Sequence, residues 1–162
     1  MSNLHLLFAG TNLKFVLAEP GKARPGVGAF FGFGHEAIHV KQYEVLVGDS
    51  RGTRWVPASG TFSFDRLGAH PVEGGREDDG TPLVIARGHA KERSGVLGIG
   101  GGGQEGLFPG KASPKLNGAY VTAGDKEVKV EVRFHSTFHL CLAHVSFLVN
   151  LPLQDYEVLC FA

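Results

Sequence analysis

A short run of residues occurs twice in this chain, and its recurrence restricts the fold more than any other feature. Pro20-Gly21-Lys22 and Pro109-Gly110-Lys111 each precede a Gly-Ala-aromatic step, at residues 28–30 and 118–120. The segment Tyr43-Glu44-Val45-Leu46 likewise returns as Tyr156-Glu157-Val158-Leu159. Self-similarity of this kind is typical of a repeated supersecondary unit, so the sequence predicts two similar halves.

The halves are predicted to be almost entirely β. Glu127-Val128-Lys129-Val130-Glu131 alternates polar and apolar residues, and Leu83-Val84-Ile85-Ala86 is a short β-rich run; both patterns favour strands. Turn clusters rich in glycine separate such segments. Outside residues 132–151, no segment sustains a helical apolar period with recognisable caps. We therefore predict an all-β fold of antiparallel sheets, with the two halves in a pseudo-twofold arrangement.

Comparison of the two copies predicts the domain organisation. Residues 1–48 form a partial, truncated first repeat, and residues 49–162 form the second. The second copy matches the first only if Val132 to Gln154 are removed. We interpret residues 132–154 as an insertion, because this segment is abruptly apolar, and as a translated intron, because its ends fit spliceosomal boundaries. A genuine apolar hairpin or helix is the alternative interpretation.

The composition of the chain limits the classes of partner that we expect it to bind. The 162 residues contain 16 Lys and Arg against 16 Asp and Glu, without a long basic run, so nucleic acid or an anionic membrane is not an expected partner. The apolar run from Leu4 to Ala9 is too short for a signal peptide or a membrane span. We expect a cytoplasmic protein. Cys141 and Cys160 do not form a disulfide framework.

Two motifs suggest enzymatic chemistry, and neither has a suitable context. His35-Glu36-Ala37-Ile38-His39 matches a zinc-protease motif, but it aligns with the strand-like second copy, and residues i and i+4 of a strand are about 13 Å apart. Gly98 to Gly103 matches a dinucleotide-binding pattern but opens no helix, so a hairpin loop is expected. We predict no catalytic residues, no metal site, no cofactor and no enzymatic activity.

The remaining candidate site pairs an acidic loop with the repeated lysine. Glu77 lies in the loop before the strand that begins at Leu83, and a hairpin would bring it to the same rim as Lys111. A carboxylate accepts hydrogen bonds from vicinal sugar hydroxyls, and an ammonium donates to them. An ordinary exposed ion pair, contributing at most about 1 kcal/mol, is the alternative interpretation.

Several motifs together resemble the DM-nine repeat family. They occur in the family's order: Trp55-Val56-Pro57-Ala58-Ser59-Gly60, Val72-Glu73-Gly74-Gly75-Arg76-Glu77, Asp79-Gly80, Leu83-Val84-Ile85-Ala86-Arg87, Pro109-Gly110-Lys111, Gly118-Ala119-Tyr120 and Tyr156-Glu157-Val158-Leu159. The resemblance implies tandem β-repeats and mannose-type carbohydrate binding, described for lectins of innate immunity. It also implies that Glu77 and Lys111 are the carbohydrate-binding residues.

The chain departs from that family pattern in its first half. This half has Lys22 but lacks the tryptophan and acidic-loop segments, which indicates a truncated start or a half that serves only as scaffold. Trp55 is expected either to stack on a sugar or to lie in the core. The alternative function is a β-repeat scaffold that binds proteins or self-associates through sheet edges, for instance as a homodimer.

Overall fold

The structure is a computed structural model that describes residues 6–9, 19–48, 50–92, 103–130, 139–142, 145–148 and 155–162. Strands dominate these ranges, beside a four-residue helix α1 (Phe64–Leu67) and a 3₁₀ turn at Ser50–Gly52. All strand pairs in the sheets are antiparallel. The all-β prediction is therefore confirmed. In the described ranges, no helix has the length and apolar character needed to cross a bilayer.

The described strands form one large sheet and one small one. The large sheet contains β1 (Leu6–Ala9), β2 (Glu19–Arg24), β3 (Gly28–Phe33), β4 (Glu36–Val40), β5 (Glu44–Val45), β6 (Thr53–Ala58), β7 (Glu73–Arg76), β8 (Pro82–Lys91), β9 (Glu105–Ala112), β10 (Ala119–Ala123), β11 (Lys126–Lys129) and β14 (Tyr156–Phe161). The small sheet pairs β12 (His139–Leu142) with β13 (Val145–Leu148).

The strand order of the large sheet is similar on both sides of its centre. The order is β5-β1-β2-β3-β4-β11-β10-β9-β8-β14-β6, and β7 pairs with β8 off this path. Reading outward from the β4–β11 pair, the strands that carry the repeated motifs follow in the same succession. Each Pro-Gly-Lys strand, β2 or β9, lies next to the strand that carries the Gly-Ala-aromatic step.

Equivalent residues of the two copies meet at the β4–β11 pair. Glu36 and Lys126 occupy matching positions and are partners in the ladder. The backbone hydrogen bonds around them are reciprocal: Ala37 N donates to Asp125 O at 3.0 Å, and Glu127 N donates to His35 O at 3.3 Å. Reciprocal bonds are a general property of antiparallel pairs, so the pseudo-twofold arrangement of the halves stays a prediction. The assignment of the halves as two family repeats, with a boundary at residue 48, stays a prediction.

The core lies between the sheet's inner face and the segment around α1. Apart from Phe62 and Tyr156, its buried side chains are small or branched, which allows the strands of the curled sheet to pack closely. The members are Phe62, Val84, Ala86, Ala90, Ala112, Ala119, Val121, Ala123, Val130, Tyr156, Val158 and Cys160. A smaller cluster of Val72, Ile85 and Leu159 lies beneath Trp55 and Leu46.

The glycine of each Pro-Gly-Lys motif is required by the neighbouring strand. A Cβ on Gly21 would collide with the carbonyl oxygen of Phe30, and one on Gly110 would collide with that of Tyr120. Phe30 and Tyr120 are the aromatic residues of the two Gly-Ala-aromatic steps. The repeated motif thus brings two backbones too close together for any side chain.

The predicted insertion lies mostly outside the described residues. Its described parts are β12 and β13, which pair with each other in a sheet separate from the large one. On either side, Val130 N donates to Ala119 O at 2.9 Å and Asp155 N donates to Ala58 O at 3.1 Å, so both flanks are tied to the large sheet. The intron interpretation stays a prediction.

The two enzyme-like motifs have the context that the sequence predicted, as far as they are described. Residues 36–40 form strand β4 rather than a helix, and the His39 ring stacks on Phe30 with the ring centroids 4.7 Å apart. Its Nε2 lies 3.1 Å from Val27 O. Residues 98–102 of the glycine run lie outside the described residues, but the strands around them, β8 and β9, pair as a hairpin.

Candidate functional site

Lys111 lies at the centre of a buried charged cluster. Its Nζ donates to Glu19 Oε2 at 2.7 Å and to the Gly32 carbonyl at 2.9 Å, and it lies 3.3 Å from Glu127 Oε1. An ammonium has three N–H donors, and these three acceptors can occupy all of them. We call Lys111, Glu19, Glu127 and the Gly32 carbonyl the Lys111 cluster. The Lys111 side chain is only 8% exposed.

Both halves of the chain supply the Lys111 cluster. Strands β9 and β11 of the second half contribute Lys111 and Glu127, whereas β2 and β3 of the first contribute Glu19 and Gly32. A Cβ on Gly32 would lie 2.7 Å from Glu127 Cγ, so only glycine allows this glutamate to approach. The site therefore exists only when the two halves are packed together.

Glu19 is an unusual carboxylate because it is buried beside other acids. It is 2% exposed, and its Oε1 is buried without a hydrogen-bond partner among the residues that the structure describes. Burial raises the pKa of its carboxyl above 4.5; Lys111 opposes this shift, and the nearby charges of Glu77 and Glu127 reinforce it. Two carboxylates thus share one ammonium in the Lys111 cluster, and a proton on Glu19 would make the cluster neutral.

Glu77 lies near enough to Glu19 for its charge to affect the pKa of that carboxyl, and it belongs to a hydrogen-bonded turn. Its backbone N donates to Thr81 O at 2.8 Å, and Gly80 N donates to Glu77 O at 2.9 Å. Asp79, in the same turn, accepts hydrogen bonds from Thr81 N and from Lys115 Nζ. Lys115 and the Thr81 bonds hold the pKa of the Asp79 carboxyl well below its usual range. The loop before β8 therefore presents a half-buried Glu77 at a fixed position.

The structure brings Glu77 and Lys111 to one region, but Glu77 does not ion-pair with Lys111 directly. Among the described residues, the ion pairs of Lys111 are those with Glu19 and Glu127. Glu77 is close enough to Glu19 to raise the pKa of that carboxyl. Glu19 thus interacts directly with Lys111 and electrostatically with Glu77.

Lys22, the counterpart of Lys111, has a different environment. Its Nζ donates to the Thr122 carbonyl at 2.9 Å, and Thr122 aligns with Gly32, so this contact is the counterpart of the Lys111–Gly32 bond. In place of Glu19, however, this side has Phe108, whose ring centroid is 5.3 Å from Lys22 Nζ. Burial lowers the pKa of Lys22. The nearby charge of Glu92 opposes this shift, so an acid lies near each lysine, and the described ion pairs with two buried carboxylates are those of Lys111.

Two other features lie outside the Lys111 cluster. Trp55 is half-buried against the small apolar cluster, and the Arg87 guanidinium lies 4.1 Å from its ring centroid, so the structure favours the core alternative for this tryptophan. A cavity of about 150 Å³ opens between β6 and α1, and Tyr156 lies in its wall. Within the described ranges, no group of three or more histidine, cysteine or acidic side chains is arranged to hold a metal ion.

The described ranges thus form an antiparallel all-β protein in which residues from both parts of the chain supply the buried Lys111 cluster. The family model described as DM9 repeat matches residues 13–100, just over half of the chain. The protein belongs to the DM9 repeat family. The matched stretch includes Glu19, Lys22 and Glu77 and crosses the predicted boundary at residue 48. Searches of curated proteins and of solved structures returned no match.

Sequence reasoning did not single out Glu19 or Glu127. Glu19 directly precedes the first Pro-Gly-Lys motif, and the second copy has Phe108 at that position. A comparison of the two copies could therefore have identified Glu19 as a difference between them. Glu127 lies in the period-two strand that the sequence did predict. Its contact with Lys111 depends on how the halves pack, which no local pattern reveals.

Proposed function

We propose that this protein binds carbohydrate of the mannose type, without catalysing a reaction on it, at the surface formed by Glu77 and the Lys111 cluster. The observation that carries the proposal is the buried ammonium of Lys111, which ion-pairs with Glu19 and Glu127, together with Glu77, whose charge is near Glu19. Carboxylates and an ammonium are complementary to vicinal hydroxyls, which both donate and accept. Membership of the DM9 repeat family supports the same function.

The geometry suggests how a sugar would engage this site. Glu77 is half-buried and would accept a hydrogen bond from one hydroxyl directly. Lys111 is already saturated, so a second hydroxyl oxygen would have to displace one of its acceptors. Glu127 Oε1, at 3.3 Å, is the most distant of the three and the easiest to exchange. In this scheme Glu19 keeps Lys111 in place.

Glycan binding by site variants tests the proposal. We expect wild type to bind mannosides saturably, and Glu77→Gln to weaken binding about tenfold or more, because a charged acceptor is lost. Asp78→Asn is the matched control: it changes an exposed acid in the same turn and should leave binding unchanged. Lys111→Met should abolish binding. Circular dichroism checks that this variant still folds.

The results separate this proposal from a scaffold function. The large sheet ends in β5 and β6, whose outer edges have no strand partner in the described sheet, and Val47 beside β5 is 83% exposed. Open edges of this kind can pair with another chain. If wild type binds no glycan on an array but sediments as a dimer or larger species, the scaffold function replaces the carbohydrate proposal.

A further inference from the structure

Phe33 is an exposed aromatic residue at the edge of the Lys111 cluster. Its ring centroid lies 5.7 Å from Lys111 Nζ, yet the residue is 48% exposed. The ammonium thus lies over one face of the ring, and much of the side chain still faces solvent. An apolar ring therefore adjoins the polar groups at which we propose that sugar binds.

The backbone holds Phe33 in a fixed position. Phe33 and Glu36 are partners in the β3–β4 ladder, so the loop between them has only two residues. Those residues, Gly34 and His35, have φ values of 59° and 70°, as a type I′ hairpin turn requires. His35 N also donates to Glu127 Oε2 at 3.0 Å, which ties the turn to the Lys111 cluster. The ring is therefore positioned before any ligand arrives.

The charges around Phe33 limit the ligands that can bind there. Glu19 and Glu127 ion-pair with the single ammonium of Lys111, and the charge of Glu77 is near Glu19, so carboxylates outnumber ammonium groups here and a ligand with its own carboxylate or sulfate would be repelled. A neutral pyranose suits the arrangement, because its hydroxyls can bond to the polar groups while its C–H face lies against the ring. The aligned position in the other half is Ala123, and the ring near Lys22 is instead that of Phe108, at 5.3 Å from Lys22 Nζ.

We infer that Phe33 is the apolar platform of the carbohydrate site and that the site selects neutral pyranosides over anionic sugars. The inference rests on the proposed function. It assigns a binding role to the first half of the chain, which would otherwise serve only to support the second. Phe33 contacts the sugar ring in this arrangement, whereas Glu77 accepts its hydroxyls.

Titration of four proteins with a mannose oligosaccharide tests the platform. Phe33→Ala should weaken binding about three- to tenfold, the range expected for the loss of one aromatic contact. Phe33→Tyr should bind like wild type, because the ring is kept. Phe161→Ala is the matched control, since Phe161 is a phenylalanine of β14 that is 56% exposed. An oligosaccharide of uronic acids should bind at least tenfold more weakly than the neutral one.

Nuclear magnetic resonance of the bound sugar distinguishes stacking from a structural role. Sugar C–H protons over a ring shift upfield, so we expect the shift with wild type and Phe33→Tyr and its loss with Phe33→Leu. Phe33→Leu also decides the matter if Phe33→Ala fails to fold.

Each unfavourable outcome has a defined meaning. One outcome overturns the platform while the proposed function stands. In that outcome wild type binds glycan and Glu77→Gln weakens the binding, but neither Phe33→Leu nor Phe33→Ala does. Equal affinity for uronic acids overturns the selectivity. If wild type binds no glycan, both proposals fail together.

Discussion

Glu19 lies immediately before the first Pro-Gly-Lys motif, and its burial makes the Lys111 cluster sensitive to pH. A carboxyl with a raised pKa in the folded state binds its proton more tightly there than in the unfolded chain. Its contribution to the free energy of unfolding is therefore present below about pH 4.5 and is lost as the pH rises through the folded pKa. Protonation of Glu19 therefore stabilises the fold. Protonation of the carboxylate in a typical exposed ion pair instead removes a favourable interaction.

Replacing Glu19 by glutamine should remove this pH dependence. As the pH falls from neutral toward 4.5, wild type should become more stable relative to Glu19→Gln, because only wild type takes up the proton. Urea unfolding at several pH values measures the difference. Glu36→Gln, which changes an exposed acid of β4, is the control and should run parallel to wild type. Parallel profiles for Glu19→Gln as well would contradict the expectation.

The predicted insertion lies between strands β11 and β14. The end of β11 and the start of β14 both lie beside Gly88. Tyr156 is the ladder partner of Gly88. A Cβ on Gly88 would lie 2.5 Å from Val130 Cγ2, so Val130 packs directly on that glycine. The two flanks of the segment are therefore close together, and a short connection can join them.

Deletion of residues 132–154 should leave the large sheet intact. Joining Glu131 to Asp155 keeps every strand of that sheet, and we expect a melting temperature within a few degrees of wild type. A deletion of equal length shifted to residues 125–147 removes β11 and should prevent folding. Circular dichroism melts of both variants measure this. Loss of the fold in the first deletion would show that the segment is integral, against the intron interpretation.

At the scale of the whole molecule, the two halves depend on each other for their buried charges. Lys111 draws two of its three acceptors from the first half, and Lys22 donates to the Thr122 carbonyl of the second. A buried ammonium that loses its partners is strongly destabilising. The halves are thus expected to fold as one cooperative unit.

Separating the halves tests this dependence. A fragment of residues 49–162 leaves Lys111 with Glu127 alone, and we expect it to lose more than about 3 kcal/mol of unfolding free energy relative to the whole chain. Adding a fragment of residues 1–48 should restore part of that loss. Urea unfolding of the fragment, with and without its complement, gives the measurement. An unchanged transition in residues 49–162 alone would contradict the expectation.

Local patterns in the sequence were sufficient for the fold class and for the strand character of β4. Alternation with period two, glycine-rich turns and the repeated motif all act over a few residues, so they can be read without knowing the packing. For that reason the apparent zinc motif at His35 was recognised as a strand. The same patterns singled out Glu77 and Lys111 as candidate site residues, because Glu77 lies in an acidic loop and Lys111 belongs to the repeated motif. Their binding role stays a prediction.

Only the tertiary structure decided what surrounds Lys111. Its partners Glu19 and Gly32 are 92 and 79 residues away in sequence, and the hairpin that carries Phe33 reaches it from the other half. Contacts over such separations are set by the curl of the sheet and the packing of the halves. The sequence by itself determined two β halves with a lysine in each. The packing determined that Lys111 ion-pairs with two buried glutamates, whereas Lys22 lies against the ring of Phe108 at the position that corresponds to Glu19.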